Sequence, residues 1–228
     1  MNIELVTIGD ELLRGWTINS NAAWLGRELS ERGARVSRTT VVPDDVEEIA
    51  SVVVTASERA DAVITTGGLG PTHDDRTMAA IALAFEVELV EHQEAAAWID
   101  RETKYSVADL APGTLDLPTG AGFIPNEVGL APGAIIENVY VLPGIPEEME
   151  AMFGRIADTF AGLPIHEAII EVAQPEREIA PILTEALERF DLSIGSYPGR
   201  TVRVRLLGRD EDEVETAATW LRDRLELA

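Results

Sequence analysis

The stretch Ala60–Thr77, ADAVITTGGLGPTHDDRT, decides how the chain is built. Ala62–Thr66 is a short apolar run bounded by turn residues, which reads as a buried strand. It enters a turn carrying Gly67, Gly68 and Gly70, then two adjacent carboxylates, Asp74 and Asp75, and then an apolar helical pattern from Thr77. The same succession recurs along the chain. Ile3–Ile8 runs into Asp10 and Glu11, Val36–Val42 into Asp44 and Asp45, and Val139–Leu142 into Pro143 and Gly144. Helical patterns separate these runs: Asn19–Arg32 with Ala22, Leu25 and Leu29 on one face, Val46–Arg59, Thr77–Phe85 and Glu91–Lys104. Met149, Met152, Phe153, Ile156 and Phe160 form a further stripe at helical spacing. Alternating strands and helices predict an α/β fold, a parallel sheet covered on both faces.

Ala108–Gly133 breaks the rhythm, being rich in Gly and Pro, and short strands are expected inside it. Gly162-Leu163-Pro164 reads as a boundary, giving expected domains of residues 1–163 and 164–228. The second is a small α+β unit. Its order is strand Ala168–Ala173, helix Arg177–Phe190, a short strand near Ser193, strand Thr201–Leu207 and helix Glu211–Leu225.

Composition narrows the class. The 228 residues include 41 acidic and 18 basic side chains, a net charge of −23, and Lys104 is the only lysine. The acids are spread along the chain, which describes a charged folded surface. Such a balance predicts adaptation to a salt-rich cytoplasm and opposes binding to nucleic acid or an anionic membrane. No cysteine is present, which excludes disulfides and thiolate chemistry. The first residues show no signal-peptide pattern and no run suits a bilayer, so the expected location is cytoplasmic.

The residues that follow parallel strands share one edge of the sheet, where open α/β sheets bind ligands. Asp10, Glu11, Asp44, Asp45, Asp74 and Asp75 therefore converge on one rim with two glycine turns. Singly, each has a bland reading: the aspartates cap helices and the glycines serve tight turns. Together they suit metal-assisted chemistry on a phosphate compound. Backbone N–H groups hold phosphate oxygens, and a divalent cation stands between those oxygens and the carboxylates.

GDELLRGWTINSNAAWLGRELSERG, TGGLGPTHDDRT, NEVGLAPG and LPGIPEEME, in that order, resemble the amino-terminal domain of the CinA (competence/damage-inducible) proteins. That domain is part of the molybdopterin-binding superfamily of molybdenum-cofactor biosynthesis. The unit after Pro164, with IGSYPGR, resembles the KH-like middle domain of CinA. The carboxy-terminal deamidase domain has no counterpart up to Ala228, so deamidase activity is not expected. The resemblance implies a three-layer α/β/α domain with a mainly parallel sheet, followed by the small KH-like α+β domain. It implies Glu11, Asp44 and Asp75 as catalytic carboxylates, with Asp10, Asp44, Asp74 and Asp75 toward a metal. Gly67, Gly68, Gly70 and Gly144 would hold phosphate. Asn21 and Asn126 would face the site, with Thr72, His73 and Thr77 as further substrate contacts.

The CinA branch implies hydrolysis of ADP-ribose to AMP and ribose 5-phosphate with Mg²⁺, Mn²⁺ or Co²⁺ and no pterin cofactor. This is the leading expectation, an ADP-ribose pyrophosphatase-like hydrolase. The alternative is molybdopterin binding or adenylylation on the same site, and a second is a non-catalytic binding module. Two departures bear on the choice. A basic pair usual in CinA chains is absent from Leu110–Pro118, and Leu130 replaces a small hydroxyl residue. Missing cations mean missing charge-assisted contacts to phosphate. Expected partners are a small nucleotide and further copies of the chain, a homo-oligomer.

Trp16 fits either stacking on a ligand ring or packing as core or lid, the second being the expectation. His92 and His166 are expected at the surface. Arg203 and Arg205 read as the solvated side of an edge strand, paired with the acids of the last helix. The competing RNA-binding reading lacks a GXXG clamp.

Overall fold

The computed structural model describes residues 1–70 and 75–225. The chain divides near Gly162 into two compact units. The first is built on a six-stranded mixed sheet in the order β2-β1-β3-β8-β7-β6. β1 (Asn2–Ile8), β2 (Arg35–Val42), β3 (Ala62–Thr66) and β8 (Val139–Leu142) are parallel. β7 (Gly133–Ile136) runs antiparallel to β8, and β6 (Gly122–Ile124) antiparallel to β7. β4 (Leu89–Glu91) and β5 (Asp116–Pro118) form a separate two-stranded ladder. The Gly/Pro-rich excursion thus contains short strands, β5, β6 and β7.

Side-chain alternation along β1 divides the core in two. Ile3 and Leu5 pack with Leu25 and Leu29 of α2 (Ser20–Glu31) and with Met149, Met152 and Phe153 of α6 (Pro146–Ile156). Val6 and Ile8 face the other way. They join Ile49 and Val53 of α3 (Val46–Arg59) and Ala80 and Ile81 of α4 (Thr77–Ala84). The sheet is therefore the middle of three layers. Two helices escaped the sequence pattern or lay near its edge: the short α1 (Asp10–Leu13), and α5 (Gln93–Glu102), which starts later than expected.

Helix starts explain how the strands hand over to helices. Asp45 Oδ1 accepts from the N–H groups of Glu47 and Glu48, both at 3.0 Å, and caps α3. Asn19 Oδ1 accepts from Ala22 N–H at 3.1 Å at the start of α2. His92 caps α5 by accepting from Ala95 N–H at 3.2 Å, and its other ring nitrogen bonds the Ala121 carbonyl at 3.1 Å. It is a half-buried structural residue, where the sequence suggested a surface one.

The second unit orders β9 (His166–Val172), α7 (Glu176–Arg189), β10 (Ser193–Tyr197), β11 (Val202–Gly208) and α8 (Glu211–Arg224). Its antiparallel sheet runs β10-β11-β9, so β11 is the middle strand and not an edge. The two arginines of β11 are correspondingly corrected. Arg205 pairs with Glu167 and Arg203 with Glu171 at 3.9 Å, both on the neighbouring β9 and not on the last helix. Cross-strand neighbours on one face are the nearest carboxylates available. No helix among the described residues is long and apolar enough to cross a membrane.

Candidate functional site

The ends of β1, β2, β3 and β8 open into one cleft of about 1060 Å³. It is lined by Gly9, Asp10 and Glu11 after β1, Asp44 and Asp45 after β2, and Gly67–Gly70 with Asp75 after β3. Gly144, Ile145 and Glu148 follow β8. The excursion supplies the remaining side through Asp109, Leu110, Ala111, Thr114, Leu130 and Ala131.

The glycine turns touch each other. A Cβ on Gly144 would lie 3.2 Å from the Gly67 Cα, and a Cβ on Gly67 would overlap the Ile8 carbonyl oxygen. Gly67 and Gly68 have φ of 112° and 64°, in the left-handed region that favours glycine. Without side chains, the backbone of this turn is open to close approach by a ligand. Thr77 secures it from behind, its buried hydroxyl donating to the Gly67 carbonyl at 2.7 Å.

Each carboxylate on the rim has its own setting. Asp44 Oδ2 accepts the Asp10 N–H at 2.9 Å, so it caps α1 across the rim rather than its own following helix. Asp10 is ion-paired to Arg14 at 2.6 Å. The Glu11 carboxylate lies over Gly9, and that of Asp75 beside Gly70, where a Cβ would fall 2.7 Å from Oδ2. Thr72, His73 and Asp74 lie outside the described residues.

Three residues expected at the ligand sit behind the lining of the cleft. Asn21, Thr77 and Asn126 do not line the cleft. All three are buried, and each donates to a protein group, while Asn21 Oδ1 has no partner among the described residues. Asn21 Nδ2 donates to the Gly144 carbonyl at 2.8 Å and ties α2 to the glycine turn. Asn126 donates to the Ala131 carbonyl at 3.0 Å and to Glu148 at 2.6 Å. They shape the rim from beneath it. Buried amides and hydroxyls need such partners, and the nearest are main-chain groups of the turns.

The structure adds residues that the sequence reading passed over: Arg14, Arg76, Asp109 and Glu148. Glu148 follows the Pro143-Gly144 turn by one helical turn, and that spacing was the available signal. Trp16 is corrected as well. It is 73% exposed at the cleft, with the Arg14 guanidinium 5.0 Å above its ring, so it is not part of the core.

Among the described residues no three carboxylate or imidazole side chains are grouped to hold a metal. The donors present suit a hard cation only when one or two carboxylates act together with ligand phosphate oxygens. Glu11 and Asp75 are candidates for that role, since both line the cleft with their carboxylates against the backbone of Gly9 and Gly70.

Comparison with known proteins places this geometry in context. Residues 4–161 match the family model described as a probable molybdopterin binding domain, and residues 164–228 match that of the FAD synthase middle domain. A protein of Archaeoglobus fulgidus is 37% identical over 99% of this chain and 98% of its own length. A CinA-like protein of Frankia casuarinae is 37% identical over 94% of this chain but only 55% of its own length. Among solved structures, the CinA protein from Thermoplasma acidophilum, of unknown function, superposes with a TM-score of 0.64 at 37% identity. That match covers 70% of this chain and 97% of the other.

Proposed function

The chain belongs to the family of probable molybdopterin-binding domains, and from that premise we propose that its first unit binds a phosphorylated pterin of the molybdopterin kind in the rim cleft. The observation that carries this reading is the make-up of the cleft. Bare glycine backbone from two touching turns lies on one side, and apolar Leu110, Ala111, Leu130 and Ala131 lie on the other. A flat ring system needs the apolar side, and its phosphate needs main-chain donors.

Carboxylates beside a phosphate repel it unless something intervenes. A divalent cation held by Glu11 or Asp75 together with the phosphate would neutralise that charge. The remaining residues act without it. Thr77 and Asn21 fix the two glycine turns, Asp44 fixes the first turn of α1, and Trp16 offers an exposed ring at the mouth.

Metal-dependent hydrolysis of a nucleotide diphosphate sugar, with ADP-ribose as the leading sequence expectation, is the second reading, and the same acidic rim favours it. It is the weaker one. The cleft side that would carry the basic pair bears Asp109, Leu110, Ala111 and Thr114, so two phosphates find few cations there.

The test is a titration in high salt with molybdopterin, followed by quenching of pterin fluorescence, beside incubation with ADP-ribose and Mg²⁺, Mn²⁺ or Co²⁺. Saturable pterin binding, weakened by Asp75→Ala, with ADP-ribose intact is the expected result. Release of AMP and ribose 5-phosphate, lost in Asp75→Ala, would transfer the assignment to the hydrolase.

A further inference from the structure

Glu148 is a half-buried cleft carboxylate held by a neutral group. Its Oε2 accepts from Asn126 Nδ2 at 2.6 Å. Asn126 is fully buried, and its orientation is fixed from two further sides. Nδ2 also donates to the Ala131 carbonyl at 3.0 Å, and Oδ1 accepts the Gly129 N–H at 2.8 Å. Gly129 completes the seat. A Cβ there would overlap the carboxylate and fall 2.7 Å from Oε1, so only glycine lets Glu148 lie against this backbone. Among the described residues Glu148 makes no ion pair.

A carboxylate is an acceptor with two oxygens. Its best uncharged partner is an edge that presents two neighbouring N–H donors. The 2-amino-4-oxopyrimidine edge of a pterin does so through its amino group and N3–H, and guanine shares that edge. Adenine sets an acceptor nitrogen beside its amino group, which a carboxylate repels. We infer that Glu148 reads the 2-amino-4-oxopyrimidine edge of the bound ring, with Asn126 and Gly129 as positioning residues. This rests on the pterin reading of the cleft and names the group that makes it selective.

The experiment measures binding of neopterin monophosphate, GMP and AMP to the whole chain in high salt. Wild type, Glu148→Gln and Gly129→Ala are compared, with thermal melting to confirm that each is folded. Glu148→Gln replaces one acceptor by a donor, while Gly129→Ala keeps the carboxylate and pushes it from its seat. Wild type is expected to prefer neopterin monophosphate to AMP by tenfold or more. Both variants should lose at least tenfold for the pterin, and neither should weaken AMP, whose acceptor nitrogen is no longer opposed in Glu148→Gln. GMP bound as tightly as the pterin, with the same losses, supports the edge and points to a guanine nucleotide as its source. Pterin binding unaltered in both folded variants overturns the role of Glu148 alone. Wild type that binds neither the pterin nor GMP overturns the pterin reading together with it.

Discussion

Asp44 accepts the backbone N–H of Asp10 at 2.9 Å, a bond that joins the end of β2 to the first turn of α1. α1 is only four residues long, too short to persist on its own residues. Its start has no side-chain cap from the residue before it, Gly9. Asp44→Ala should therefore cost about 1 kcal/mol, the usual value of a lost cap, and also weaken ligand binding by letting Glu11 move. Asp44→Asn keeps an acceptor and removes the charge, so it should retain most of the stability. Denaturant midpoints of the two variants check this, and equal losses would show that charge rather than the bond is what matters.

Glu4 is a buried ion of the first unit, its side chain only 6% exposed on β1. Arg59 donates to both its oxygens, each at 2.6 Å, and Arg38 stands 3.9 Å away. The hydrogen bonds from Arg59, and then the charges of Arg59 and Arg38, hold its carboxyl below the ordinary range against the opposing effect of burial. A depressed folded value means stability that is fully present above the unfolded value, about 4.3 for glutamate, and is lost as pH falls through the folded one. Unfolding followed between about pH 3 and 7 should show this acid-side loss, and Glu4→Gln should flatten it while lowering stability at neutral pH. An acid slope equal in both proteins would remove Glu4 as its source.

What was legible in the sequence was local. α3 spans Val46–Arg59, the limits its periodicity gives, and β3 spans Ala62–Thr66, because each repeats its pattern within its own length. The rim was legible for the same reason: residues after parallel strands must share an edge. The misreadings involve distant partners. α1 depends on a carboxylate from the end of another strand. Asn21 commits its amide N–H to a carbonyl of Gly144, far along the chain. β11 reads as an edge until β9 pairs beside it, since strand order leaves no trace in alternation.

Gly67 and Gly26 should respond oppositely to alanine. At Gly67, φ is 112° and a Cβ would strike the Ile8 carbonyl oxygen. Left-handed strain and overpacking together should cost about 2–4 kcal/mol. At Gly26, inside α2, no atom lies within 4 Å of an added Cβ, and alanine should stabilise by about 0.5–1 kcal/mol. Chemical denaturation of the two variants measures both, and a neutral Gly67→Ala would mean that the β1 and β3 ends are not held as close as described.

The charge of −23 makes a prediction that concerns the whole chain. Described ion pairs such as Asp10–Arg14 and Glu185–Arg224 engage few of the 41 acids, so much of the surface repels itself. Salt screens exposed charges over about 10 Å at 0.1 M and about 3 Å at 1 M, and it screens the half-buried Glu4–Arg59 pair less. Stability should therefore rise from low to molar salt, because the repulsive surface is weakened more than the attractive pair. Each kcal/mol gained corresponds to about 2–4 °C in a domain of 150–250 residues, so a rise of at least about 5 °C is expected. Sodium chloride and potassium chloride should act alike if screening is the cause. Melting unchanged between low and molar salt would mean that the acidic surface is not destabilising, and the reading of the composition as adaptation to a salt-rich cytoplasm would fall with it.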